Sequence, residues 1–163
     1  MKREQQLFLQ LWQLVEKERQ HLADVEQRFF EGQSTLTLAW LQAKLHTSIG
    51  IDQLESFAAK FARLQDTLGD KVLPLFLQLA AEPLGTAIEN LNRAEKLGLV
   101  SSTHQWLAAR QLRNFLIHEY IDDLQRLLEA LQQAQMMVPM LQETVRSIRK
   151  ASMRIGILTD ASV

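Results

Sequence analysis

Apolar residues in the first thirty positions recur at the spacing of one helix face, and Gln, Glu, Lys and Arg occupy most positions between them. This periodicity predicts a long amphipathic helix that ends near Gly32. No alternation typical of a β-strand persists anywhere in the chain, so helix packing is the fold that the pattern favours. The apolar positions that carry the periodicity are Leu7, Leu11, Leu14, Val15, Leu22 and Val25.

The amino-acid composition also favours a helical fold. The chain has 163 residues, only three Pro and six Gly, and 47% hydrophobic residues, which is enough for one globular core. Leu, Gln, Ala, Glu and Arg abound, and all of them are compatible with helices. We therefore predict an all-α protein, an up-and-down bundle of five to seven helices forming a single domain over residues 1–163.

Helix boundaries in the first half follow from caps and breakers. A second helix is predicted from about 35 to 46, stopping near Gly50. Asp52-Gln53-Leu54-Glu55 has the pattern of a capping box and predicts the start of the next helix at Asp52. Gly69 and Pro74 are expected to weaken or bend that helix.

The second half offers similar signals. Thr86-Ala87-Ile88-Glu89 predicts another capping box, and Gly98 suits the position just after the helix that it begins. Further helices are predicted over the stretch that contains Trp106, over about 122–135, and from Pro139 to about Lys150. This reading divides the chain into N-terminal helices at 1–50, a core at 51–150 and a loose tail at 151–163.

The net charge and the absence of Cys exclude several classes of binding site and of chemistry. The formal net charge is −1, so any RNA or phosphate binding must be local. The chain has no Cys, which excludes disulfides, thiolate chemistry and Cys-based zinc sites. The N-terminus lacks the apolar run of a signal peptide, and the apolar stretch at 72–84 is too interrupted to span a bilayer. We expect a soluble, cytoplasmic protein without membrane contact.

Polar residues crowd beside an apolar helix face in the segment from Arg113 to Tyr120. At about 100° per residue, Arg113 and Tyr120 lie nearly in line on one flank of that face, and Asn114 and His118 lie in line on the other. Arg113 and His118 are roughly 140° apart. The two flanks can meet only at a helix end, in a cleft shared with other helices, or across a two-fold dimer interface, and we favour a helix end in a dimer.

The residue types in this segment suit metal-independent RNA cleavage. Such cleavage needs a base, an acid and a cation for the developing charge on phosphate. His118 exchanges protons near neutral pH, and Arg113 grips phosphate oxygens bidentately. On spacing alone, however, a helical Arg and His more often lie on a solvated face.

The pattern Arg113-Asn114-x3-His118-x-Tyr120 resembles the HEPN superfamily, and the Tyr makes it similar to the HepT branch. HepT-like proteins are ribonuclease toxins paired with a nucleotidyltransferase antitoxin of the MNT type. The resemblance implies a dimeric helical bundle of HEPN type, here with an extra N-terminal helical segment, that cleaves RNA without a cofactor. It implies catalytic roles for Arg113 and His118, a supporting role for Asn114, and modification of Tyr120 with AMP by the partner.

Two further functional hypotheses remain open beside this enzyme. The chain is alternatively a HEPN-type substrate-binding or regulatory partner of a nucleotidyltransferase that cleaves no RNA, or a purely structural bundle. Arg110 is a candidate supporting residue for substrate. His118 with Asp122 is at metal-ligand spacing, but Asp122 or Asp123 better suits a cap of the next helix, so no metal is expected.

Two charged clusters have more than one interpretation. Arg63, Asp66 and Asp70 lie on one helix face and predict either a surface ion pair or an acid that orients Arg113 or His118 across the bundle. Near the C-terminus, a basic cluster fits a solvated helix end favoured by the dipole, or a contact with RNA or a partner. Its members are Arg146, Arg149, Lys150 and Arg154.

Overall fold

The computed structural model describes residues 2–118 and 122–160, with only the helical backbone of His118 included. Over these residues the protein is helical and contains no strand, which confirms the all-α class. The α-helices are α1 Lys2–Phe30, α2 Leu38–Leu45, α3 Ser48–Asp66, α4 Leu73–Leu79, α5 Ala87–Lys96, α6 Thr103–His118 and α7 Leu124–Arg154. A π-helix, Thr67–Val72, joins α3 to α4.

The long first helix is confirmed, and its apolar face lies against α3. Its buried stripe includes Phe8, Trp12 and Val15, whereas Leu7 and Leu14 are exposed. The buried face is thus rotated slightly from the predicted one, because the large aromatic side chains take the core positions and remove more apolar surface from water.

The predicted start of α3 at Asp52 is wrong. The helix begins at Ser48, and the Thr47 hydroxyl accepts the first-turn N–H of Gly50 at 3.0 Å. Gly50 lies inside α3, at a close approach to the end of α2, where a Cβ atom would stand only 1.9 Å from the carbonyl oxygen of Lys44. The glycine therefore permits a tight junction between two helices and does not end one.

The expected weakness at Gly69 and Pro74 takes the form of the π-helix. The N–H of Leu73 donates to the carbonyl oxygen of Leu68, five residues back, and Pro74 then occupies the first turn of α4. Since proline has no N–H to donate, the wider turn accommodates it without ending the helical path.

The capping box at the start of α5 is confirmed. The Thr86 hydroxyl accepts the N–H of Glu89 at 3.2 Å, and the Glu89 carboxylate accepts the N–H of Thr86 at 3.3 Å. Gly98 follows the helix with a φ of 76°, a left-handed conformation that glycine adopts without strain.

The two predicted C-terminal helices are wrong, because one helix, α7, runs through Pro139 to Arg154. The lost hydrogen bond at Pro139 is offset by the burial of apolar side chains on both sides of it, including Val138, Leu141 and Val145. The described part of the tail, residues 151–160, is also more ordered than expected. Its first residues continue α7, and Leu158 is buried, while 161–163 lie outside the described residues.

Candidate functional site

Helix α6, which carries the motif, is fixed against α3 and the π-helix by a buried indole. Trp106 is fully buried, and its carbonyl oxygen accepts a hydrogen bond of 3.0 Å from the buried side-chain amide of Gln65. The indole lies directly over Gly69 of the π-helix. These contacts set the level at which the polar residues of α6 meet the end of α3.

Arg113 faces the last residue of α3. Its Nη2 atom lies 3.0 Å from Oδ1 of Asp66, with 19% of the Arg113 side chain and 40% of the Asp66 side chain exposed. Both Oδ1 of Asp66 and Nε of Arg113 are buried and have no well-aligned hydrogen bond within the described chain. The contact is therefore an ion pair at short distance, and the guanidinium keeps donors for a further acceptor.

A second pair lies one turn away. Arg110, three residues before Arg113, contacts Asp70 through its Nη2 atom, and Asp70 belongs to the π-helix. Asp66 and Asp70 thus each bind an arginine of α6. Of the two interpretations of the Arg63, Asp66 and Asp70 cluster, the structure supports the orientation of Arg113 across the bundle.

A buried carboxylate lies beneath this pair of contacts. Both carboxylate oxygens of Glu18 lie 2.9 Å from the hydroxyl of Thr67, the residue that follows Asp66. Burial raises the pKa of Glu18 above its ordinary value, although the Thr67 hydrogen bond and the charges of Arg63 and Lys71 act in the opposite direction. No sequence pattern singled out Glu18, because its partner is distant in the chain.

The opposite flank of α6 is open. Asn114 is exposed, whereas Phe115 is buried and lies under the guanidinium of Arg126, whose carbon is 4.5 Å from the ring centroid. Phe115 and Arg126 both line a hollow of about 310 Å³ between α6 and α7. Sequence reasoning missed Arg126, which reaches the motif only because α7 packs back along α6.

His118 is the last described residue of α6, and Tyr120 lies outside the described residues. Asp123 caps α7, since its side chain accepts the N–H of Arg126 at 3.2 Å. This confirms the predicted cap at this point. Within the described residues, α6 carries the motif from Arg113 to His118, with Arg113 facing α3 and Asn114 exposed to solvent.

Within residues 2–118 and 122–160, excluding the His118 side chain, no group of three or more His, Asp or Glu side chains is arranged to hold a metal ion. The same stretch of chain contains no helix with the length and apolarity needed to cross a bilayer.

Comparison with protein families, with curated proteins and with solved structures finds no match to this chain. The resemblance to HEPN proteins therefore rests on the motif alone, and both the family relationship and the function that it implies are proposals.

Proposed function

We propose that the protein is a HepT-like, metal-independent endoribonuclease, the toxin of a toxin–antitoxin pair with an MNT-type nucleotidyltransferase. The observation that carries the proposal is the ion pair between Arg113 and Asp66. Arg113 lies on α6, the helix that also carries His118. A guanidinium held before substrate arrives loses little conformational freedom on binding phosphate.

Each residue has a defined role in this proposal. Arg113 stabilises the charge that develops on the scissile phosphate, and His118 transfers protons. Arg110 and Asn114 bind substrate on either side of Arg113. A homodimer brings two copies of the motif together, so that one His118 acts as base and the other as acid. Tyr120 accepts AMP from the partner, which silences the toxin.

A second candidate function is a HEPN-type partner of a nucleotidyltransferase that binds substrate or regulates but does not cleave. The specific observation in its favour is the charge balance, because Asp66 and Asp70 each neutralise one of the two arginines. Such a site attracts a polyanion less strongly than two free arginines would.

Incubating the purified protein with RNA in EDTA tests the proposal. We expect cleavage that disappears in His118→Ala and persists in His104→Ala. His104 is a matched control because it is an exposed histidine on the same helix. Circular dichroism checks that both variants keep their helical content. Cleavage that is equal in the two variants would overturn the assignment of His118.

AMP transfer separates the two candidate functions. Tyr120 is the only tyrosine in the chain, so labelled AMP on tyrosine identifies one site. Transfer by an MNT-type enzyme that stops RNA cleavage supports the toxin, and it should vanish in Tyr120→Phe. Transfer to a protein that never cleaves RNA favours the regulatory partner. A protein that neither cleaves nor accepts AMP contradicts both.

A further inference from the structure

The C-terminal half of α7 carries a basic groove, part of which is shared with α1. One hollow of about 300 Å³ is lined by Arg146, Arg149 and Lys150, together with Glu143, Ser147 and Met153. A second hollow of about 250 Å³ shares Arg146 and Arg149 and adds Arg19 and Glu16 of α1. We call the two hollows together the α7 groove.

Two cations of the α7 groove have no ion pair among the described residues. Arg146 binds Glu143 at 2.7 Å, and Arg19 binds Glu16 at 3.0 Å. Arg149 and Lys150 have no such carboxylate, and the buried Nε atom of Arg149 has no acceptor within the described chain. A partly buried guanidinium with unused donors favours an external anion.

Helix electrostatics alone do not account for this arrangement. The negative end of the helix dipole stabilises cations in the last turn, which explains Arg154. Arg146 and Arg149 lie before that turn, where the effect has faded. The helix dipole therefore does not explain why positive charge is concentrated in this groove of a chain whose net charge is −1.

The spacing of the cations indicates an extended anion. Arg146, Lys150 and Arg154 follow one another at four-residue steps and Arg149 lies three residues after Arg146, so they share a helix face over roughly 12 Å at 1.5 Å per residue. A single phosphate is too small to contact all of them, whereas a nucleic acid strand presents one charge per nucleotide. The hydroxyl of Ser147 adds a donor suited to phosphate oxygens.

Two neighbouring residues of α1 connect the α7 groove with the surroundings of the Arg113 site. Glu18 contacts Thr67 beside Asp66, and the next residue, Arg19, lines the groove. We propose that the α7 groove binds the phosphate backbone of RNA that enters the Arg113 site, an inference that rests on the proposed RNA-directed function.

The salt dependence of RNA binding tests this proposal. Fluorescence anisotropy is measured with labelled single-stranded RNA on full-length protein carrying His118→Ala, so that the RNA stays intact. For single strands, each phosphate contact contributes about 0.7 to the slope of log affinity against log salt. Replacing Arg146, Arg149 and Lys150 by Gln should therefore reduce the slope by about 2. Between 50 and 200 mM salt, the affinity for RNA should therefore fall roughly 20-fold more in the protein with all three cations than in this triple variant.

A matched variant controls for net charge. Replacing Arg28, Arg93 and Lys96 by Gln also removes three partly or fully exposed cations, which lie on α1 and α5. We expect its salt slope to match that of the protein that carries only His118→Ala. The double variant Arg146→Gln with Lys150→Gln retains Arg149, and it should lose about two thirds of the effect if the triple variant does not fold.

Several outcomes would overturn the groove, and they differ from failure of the ribonuclease. If RNA cleavage occurs while the triple variant and the charge control bind alike, the groove proposal is wrong and the ribonuclease stands. If no cleavage occurs, but the slope of log affinity against log salt is reduced in the triple variant and not in the charge control, the α7 groove stands as an RNA-binding site. Labelled poly-glutamate that binds as tightly as RNA, and weakens equally in the triple variant, would identify an acidic-protein site and refute the RNA proposal.

Discussion

Arg113 and Asp66 form an ion pair between α6 and α3, which are separated in the chain by residues 67–102, with Nη2 of Arg113 3.0 Å from Oδ1 of Asp66. Arg110 and Asp70 repeat the contact one turn away. The repetition means that the orientation of both arginines depends on the packing of α6 against the end of α3 and the π-helix. Any function of Arg113 is therefore sensitive to changes at a carboxylate outside the motif.

Asp66→Asn should lower the RNA cleavage rate about tenfold, the equivalent of about 1.4 kcal/mol of transition-state stabilisation. The amide does not hold the guanidinium by charge, so Arg113 is oriented less well. KM for RNA should stay equal or fall, because a negative charge near the site is removed. Stability should fall by less than about 1 kcal/mol, since the pair is partly exposed to solvent.

Asp24→Asn is the control for this change. Asp24 binds Arg28 at 3.0 Å on the surface of α1, so the variant removes an ion pair of similar length away from the motif. Single-turnover kinetics and urea denaturation give the two quantities for each variant. An Asp66→Asn protein that cleaves at the wild-type rate would show that Asp66 does not position Arg113.

Gly69→Ala should destabilise the protein by about 1–2 kcal/mol, although the same change in an open helix position is usually favourable. The added Cβ would lie 3.1 Å from Nε1 and 3.2 Å from Cζ2 of Trp106. Because Trp106 is fully buried, the indole has little room to move. Urea denaturation measures the change in the free energy of unfolding.

A double-mutant cycle identifies the cause of this loss. Trp106→Phe removes the indole atoms that the new Cβ would meet, so Gly69→Ala should cost less in that background. If the cost is the same in both backgrounds, steric contact with the indole is not responsible.

Glu18→Gln should change how stability depends on pH. Burial raises the folded-state pKa of Glu18 above its ordinary value of 4.5, so the folded protein binds a proton more readily than the unfolded chain. Wild-type stability therefore falls as pH rises from about 4.5 through the raised pKa, where a buried charge forms. The amide retains an acceptor for Thr67 and carries no charge, so the variant should be the more stable protein at pH 7.

Thermal unfolding at pH 5 and pH 7 measures this difference, which should shrink at the lower pH. Glu129→Gln serves as the control for the loss of one carboxylate, since Glu129 is exposed on α7. A Glu18→Gln protein whose pH dependence equals that of the wild type would contradict the predicted role of burial.

Local sequence signals determined the fold class and several boundaries. The apolar periodicity of the first thirty residues predicted α1, and the capping box at Thr86 predicted the start of α5. Asp122 or Asp123 was predicted to cap the following helix, and Asp123 does. These features depend on residues three or four apart, so they can be inferred from neighbours in the chain. The motif was likewise visible, although its catalytic role and the dimer remain predictions.

Tertiary structure alone decided the choice between competing local signals and the partners of the motif. Thr47 caps α3 in place of Asp52, α7 continues through Pro139, and Asp66 binds Arg113 across the bundle. A cap or an exposed ion pair contributes about 1 kcal/mol, whereas each large apolar side chain that is buried contributes about 1.5–3 kcal/mol. Packing of many side chains from distant helices therefore outweighs a local signal wherever the two disagree.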